Sequence, residues 1–554
     1  MDFKGESKMK RLKVSRIMNV HGFRACLAAV LGMLVLAAAL VSGCAQGSPQ
    51  GAGDPPGTER PSEGSPSGGA PDSGGASAGA QGAPAEVAPL LYVAPGDAPK
   101  DLDAALLAIN AQLAEDGVGI ALQLQYTPWD AWDQKINLML STGEKFDMFE
   151  VMNDRVSLSN YASRNALADL TGLIGEYGAN IAAHNPQLAM DSVTIDGKLY
   201  AIPAFWFESA TNPEITIRTD ILEKYGQPLP ATFDELTEVF EHVMGEWEGA
   251  RKPYIGLSAG GNTLFFNIAE KAYDEWPFVV YDKVFFVAQD GSVANYYETD
   301  VFRKNAANAK LWYDKGLISP DTISLVVGTS GDLEKQRLEA GDWLVHAGTL
   351  SDINPLKANY PEITADDFQS LDFAPEKPRV RPYGTRNMNA VPAASEHPDA
   401  AVKFHNWLLD SQDHYDLFFY GRAGIDYNPV GERSRELIVD PSTNQPPYFF
   451  SDWMSGNIAF IRTASTMPKV TAQTLYTLNG SAVDGYASSF TFNAESVQTQ
   501  FTDVQTAITA VMAPIALGVQ DYGSNIGAAL DELRAAGVDE LVAEFKRQLE
   551  GSMR

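Results

Sequence analysis

The stretch 87–152 alternates strand and helix patterns, and that alternation leaves few architectures open. Residues 87–93 (VAPLLYV) are an apolar run of strand length. After a loop at 94–100 carrying Gly96 and Asp97, Leu102, Leu106, Ile109 and Leu113 recur at spacings of four, three and four, one face of a helix. Ile120, Leu122, Leu124 and Tyr126 then alternate strictly, a helical stretch follows through Trp132 to Leu140, and a third strand is expected at 146–152. A β-α-β-α-β order predicts an α/β sheet covered by helices on both faces. Ligands of such sheets sit in loops at the carboxyl ends of the strands, which makes Asp97 a candidate contact.

Folding has to begin near Val87, because the preceding chain has nothing to bury. From 45 to 86 there is no Leu, Ile, Val, Phe, Tyr or Trp, and Gly, Ser, Pro and Ala dominate. As a flexible coil this tether has an r.m.s. reach of about 35 Å. Ahead of it, Lys8, Lys10, Arg11, Lys13 and Arg16 form a basic start, and residues 26–40 (CLAAVLGMLVLAAAL) are apolar but short and Ala-rich for a bilayer span. This is the pattern of a signal peptide. Leu40-Val41-Ser42-Gly43-Cys44 resembles the lipobox of bacterial lipoproteins, which implies cleavage before Cys44 and lipidation of its thiol. An ordinary secretory signal with a chance Cys is the alternative.

Of the two Cys, Cys26 falls in the removed segment and Cys44 would be the anchor, leaving no thiol for a disulfide, zinc cluster or nucleophile. Removing residues 1–43 takes away seven Lys/Arg and two Asp/Glu and leaves 34 against 69, a balance of −35. Such a surface repels phosphate backbones, so nucleic acid is not an expected partner.

Farther along, Thr232-Phe233-Asp234-Glu235 has capping-box spacing before Leu236, Val239, Phe240 and Val243, and 398–419 and 525–549 read as helical, the latter interrupted at Gly537. Several stretches together resemble the family 1 extracellular solute-binding lipoproteins, the receptors of sugar-type ABC importers. They are 94–110 (APGDAPKDLDAALLAIN), 141–150 (STGEKFDMFE), 196–203 (DGKLYAIP), 387–409 (NMNAVPAASEHPDAAVKFHNWLL) and 415–427 (YDLFFYGRAGIDY). The tail, with SSFTFNAE at 488–495 and LDELRAAGVDELVAEFKRQL at 530–549, resembles the subgroup with a C-terminal region of unassigned function, DUF3502.

The resemblance implies a two-lobed, periplasmic-binding-protein-like (type II) α/β fold with hinge crossovers and a mostly helical C-terminal region. The expected division is 1–43 signal peptide, 44–86 tether, 87–203 plus about 378–425 first lobe, and 204–377 plus about 426–554 second lobe. A solute would be captured between the lobes and passed to ABC permease subunits. The expected receptor is a lipid-anchored monomer on the extracellular face of the membrane, with no cofactor.

Carbohydrates present hydroxyls and apolar C–H faces, which call for aromatic platforms beside carboxylates and amides. Trp129 follows a strand where similar proteins line the cleft, or else packs at a helix start; Trp132, three residues on, reads as core. Asp154 matches a strand-end Asp that relatives present to hydroxyls, with a helix N-cap as the alternative. After Pro203, Phe205-Trp206-Phe207-Glu208 puts three rings beside one carboxylate where relatives place a contacting Glu, which selects Trp206 and Glu208. Asn387 and Arg386 precede the returning strand, and Arg422 and Tyr427 follow the 398–419 helix; hinge salt bridges are the alternative for the arginines. A charged solute would draw on Arg155, Arg218, Arg386 and Arg422.

Two other function classes stay in view. Gly256-Leu257-Ser258-Ala259-Gly260 matches the nucleophile elbow of hydrolases, though Gly261-Asn262 weakens the helix that should follow and no HGGG-type oxyanion partner occurs. An envelope scaffold or adhesin would share the anchor and tether but usually shows repeats, and none is found. The seven His lack His-x-x-x-His spacing and no Asp-x-Asp-x-Asp-Gly loop occurs, so no metal site is expected.

Overall fold

The computed structural model describes residues 87–153, 155–205, 215–249, 252–254, 263–319, 338–347, 352–441, 445–473 and 479–553, with positions 322, 350, 476 and 477. Three strands carry the opening: β1 (Ala88–Pro95), β2 (Ile120–Thr127) and β3 (Met148–Met152), linked by α1 (Leu102–Glu115) and α2 (Trp132–Thr142). β1 pairs in parallel with both others, with Leu90 opposite Leu122 and Tyr92 opposite Met148. Each parallel pairing needs a helical crossover, and the α1 and α2 patterns supply them. β4 (Ala201–Pro203) and β5 (Asn387–Ala390) complete a sheet of order β2-β1-β3-β5-β4, in which β5 runs antiparallel to both neighbours.

The sheet is buried on both faces, as parallel strands require. One face packs Leu90, Tyr92 and Leu122 with Ile109 and Leu113 of α1, and the other packs Val93, Phe149 and Val151 with Trp132, Ile136 and Met139 of α2. Trp132 is therefore core, as its spacing indicated. The helical stretch after β5 is two helices, α3 (Pro398–Leu408) and α4 (Gln412–Phe419), because Ser411 stops the first and caps the second by accepting from the His414 amide at 3.2 Å.

One boundary differs from expectation. Tyr427, Tyr448, Phe450, Met454 and Ile461, expected in the second lobe, are buried in the same cluster as Leu90, Tyr92, Phe418 and Phe419. The apolar ridge of α4 needs a cover, and the chain after 426 folds back over it.

A second antiparallel sheet is centred on Ile215–Arg218, flanked by Val345–Ala347 and Phe368–Ser370. The helix Phe233–Glu246 buries Leu236, Val239, Phe240 and Val243 against it, and Thr232 caps that helix by accepting from the Glu235 amide at 3.1 Å. A third sheet, Phe278–Tyr281, Phe285–Ala288 and Val293–Asn295, is covered by the C-terminal helices Gln498–Ala507, Tyr522–Ala535 and Val538–Ser552. Phe285 stacks on Phe545 with ring centroids 4.1 Å apart. Gly537, at φ 93°, turns the chain between the last two helices, a conformation that favours glycine.

Candidate functional site

The strand directions collect one end of the first sheet into a single place. β1, β2 and β3 deliver their carboxyl ends there, and β5 starts there, with Asn387 opposite Met152. Asp97 lies two residues past β1 and is exposed; Gly96, at φ 108°, turns the chain and donates its amide to the Thr127 carbonyl at 2.8 Å. Trp129 lies two residues past β2 and is 41% exposed, so part of its ring face is open to solvent. The Arg155 guanidinium sits 5.5 Å from the centre of that ring and donates to Asp133 of α2 at 2.8 Å. Asn387 is buried at the sheet end, where its carbonyl accepts from the Ala204 amide and the Thr385 hydroxyl.

Two expected contacts are already engaged within the protein. Arg422 donates from Nε and Nη2 to the carboxylate of the fully buried Asp426 and from Nη2 to Asp101 at 3.2 Å, so its charge is matched within the protein. Tyr427 is buried among Tyr420 and Tyr448 and donates its hydroxyl to Asp416 at 3.1 Å. These contacts engage the Tyr427 hydroxyl and the Nε and Nη2 of Arg422. Asp154, Trp206 and Glu208 lie outside the described residues, as do Cys44 and the 256–260 elbow.

Trp453 is the residue that sequence patterning missed. It belongs to α5 (Asp452–Ser455), and its ring stacks on Trp129 with centroids 5.9 Å apart and planes at 27°. Trp453 packs against the clusters on both faces of the sheet, which a side chain at the sheet end can do. Nothing in the local sequence around 453 pairs it with position 129, more than 300 residues away; only the fold joins them.

Beneath the rings the site is polar and closed. The Tyr92 and Ser455 hydroxyls lie 2.7 Å apart, and Ser455 donates to Asn389 Oδ1 at 3.0 Å. Burial, with the nearby Glu150 carboxylate, pushes the Tyr92 hydroxyl well above its usual range, so it stays protonated as a donor. Among the described residues no group of His, Cys, Asp and Glu is arranged to hold a metal ion. An open groove of about 310 Å³, lined by Met139, Leu140, Phe146, Asn165 and Pro392, lies at the opposite end of the sheet, before β3, and holds none of the candidate contacts.

Comparison with known proteins places this geometry in a class. Residues 96–414 match the family model for bacterial extracellular solute-binding proteins, and 486–551 match a domain of unknown function, DUF3502. The chain belongs to the bacterial extracellular solute-binding protein family. A carbohydrate ABC transporter substrate-binding protein of Streptococcus pneumoniae is 21% identical over 458 residues, covering 82% of this chain and 88% of that protein. Among solved structures, the N-glycan transport solute-binding protein NgtS of S. pneumoniae superposes with a TM-score of 0.66 at 18% identity, over 84% of this chain and 98% of NgtS. A human-milk-oligosaccharide (HMO)-binding, ABC-transporter-associated protein of Bifidobacterium longum infantis does so with a TM-score of 0.59 at 17% identity, over 84% and 99%. The fold is the two-lobed type II α/β architecture of these solute receptors.

Proposed function

We propose that this chain is the lipid-anchored receptor of an ABC importer and that it captures a neutral oligosaccharide at the carboxyl end of the first-lobe sheet, between its two lobes. The observation that carries the reading is the exposed Trp129 indole at that end, beside the Gly96–Asp97 loop with its exposed carboxylate residue. An aromatic face next to hydrogen-bonding groups suits sugar C–H faces and hydroxyls. The S. pneumoniae and B. longum relatives named for N-glycan and milk-oligosaccharide binding support the same ligand class. Asp154, Trp206, Glu208 and Asn387 complete the proposed contact set.

The charge of the solute follows from the arginines. Arg155 is matched by Asp133, Arg422 by Asp426 and Asp101, Arg218 is fully buried, bound to Asp220 and the Gly341 carbonyl and stacked 4.0 Å from the Tyr360 ring, and Arg386 lies 5.4 Å from the centre of the Tyr383 ring. Cations already engaged by the protein's own carboxylates, carbonyls and rings have less to offer a uronate than free ones. In a thermal-shift screen, neutral oligosaccharides should raise the melting temperature equally at low and high salt, and alginate or galacturonate trimers should not. Stabilisation by uronates alone, fading with salt, would overturn the neutral assignment.

No helix among the described residues is long and apolar enough to cross a membrane. The proposed attachment at Cys44 rests on the lipobox-like residues 40–44. Cys44→Ala should release the protein from the membrane fraction or block its processing. Unchanged partition would refute the anchor. A receptor that only binds and closes needs separate permease and ATPase subunits, which native pull-down should recover. Binding without turnover is the expected chemistry.

A further inference from the structure

Trp453 is held more firmly than the ring it touches. Its helix α5 is pinned to the sheet by the Ser455 contacts with Tyr92 and Asn389, and Asn389 Nδ2 donates to the Met454 carbonyl at 3.0 Å. Tyr92 and Asn389 have no exposed surface. At the other end of the helix the Asp452 carboxylate accepts from the Tyr420 hydroxyl at 3.0 Å. Gly456 ends the helix in a close turn that admits no side chain, since a Cβ there would collide with the Asp452 carbonyl and the Tyr415 hydroxyl. Outward from the sheet the order is thus buried polar network, α5, half-buried Trp453, exposed Trp129.

We propose that Trp453 is a positioning residue for solute binding, which backs the Trp129 indole so that the ring is already oriented when the solute arrives. This rests on reading Trp129 as a solute contact. An exposed indole on a loop gives up rotamer freedom when it binds, and a ring stacked beforehand has given up that freedom already. Arg155, tied to Asp133, restrains the same ring from a second element. Trp453 acts through Trp129, not on the solute.

The test uses the mature chain carrying Cys44→Ala, labelled with 5-fluorotryptophan. The ¹⁹F line absent from Trp129→Phe identifies Trp129. It should be a single line in the parent protein, changed in width or split in Trp453→Leu as the ring samples more rotamers, and restored in Trp453→Phe. Ser455→Ala, which keeps the ring but loosens α5, should change it in the same way and covers the case where Trp453→Leu does not fold. With Man5GlcNAc as the first glycan probe, Trp453→Leu should weaken binding about three- to tenfold. The double variant Trp129→Ala/Trp453→Leu should bind no more weakly than Trp129→Ala alone. An unchanged Trp129 line, or losses that multiply in the double variant, overturns the positioning role. If the parent protein binds no glycan, the oligosaccharide reading fails, while the ¹⁹F line still decides whether Trp453 orders Trp129.

Discussion

Replacing Arg462 with Ala should lower stability by about 3–5 kcal/mol, measured by urea unfolding, because it leaves the Asp416 carboxylate buried without its cation. Arg462 Nε donates to Asp416 Oδ2 at 2.7 Å, and its Nη1 donates to the Gly431 and Glu432 carbonyls. Burial raises the Asp416 pKa, while the bonds from Gln412 and Arg462 pull it back. The side chains of the pair are 10% and 6% exposed, so solvent cannot replace the lost partner. Removing both charges, as in Asp416→Leu/Arg462→Met, should recover much of the loss. The pair fastens the chain beyond 427 to α4 and hence to the first sheet. A loss below about 1 kcal/mol would mean the contact behaves as an exposed ion pair.

The second large effect is a pH dependence in the other half of the molecule. Burial pushes the Glu270 carboxyl up to about 8, against the opposing bonds from Asn305 and Tyr296. Asn305 Nδ2 donates to Glu270 Oε1 at 2.6 Å and also reaches the Tyr296 hydroxyl. The Tyr273 hydroxyl donates to Asn305 Oδ1. The neighbouring cations are paired elsewhere, Lys271 with Asp372 and Lys304 with Glu275. The folded state therefore holds a proton that the unfolded chain releases near its ordinary carboxyl pKa. This contribution is complete below about 4.5 and disappears as pH rises to about 8, at up to about 1.4 kcal/mol per pH unit. Glu270→Gln, which keeps a carbonyl for Asn305, should flatten that slope and melt higher than the parent at pH 8.5. Parallel pH profiles for the two proteins would show that Glu270 is ionised in the fold.

The parts of this fold legible in sequence were those written in short-range periodicity. Leu102 to Leu113 at helical spacing and Ile120 to Tyr126 in alternation predicted α1 and β2, because one-sided burial imposes those periods. The family likeness in turn pointed to the returning strand at Asn387. Long-range packing was not legible. The burial of Tyr427 and Tyr448 under the first lobe depends on α4 needing a cover, and the Trp129–Trp453 stack depends on α5 meeting the sheet end. Arg422 shows the same limit: an arginine after a helix reads as ligand or ion pair alike until Asp426 and Asp101 are seen around it.

Titration calorimetry of the mature Cys44→Ala chain against defined neutral oligosaccharides, with mass analysis of the glycan afterwards, tests the central claim most directly. Saturable binding of one glycan per chain, weakened about tenfold or more by Trp129→Ala and returning the glycan unchanged, is the predicted result. Cleavage of the glycan would make the chain an enzyme, and no saturable binding to any oligosaccharide would contradict the receptor assignment for this ligand class.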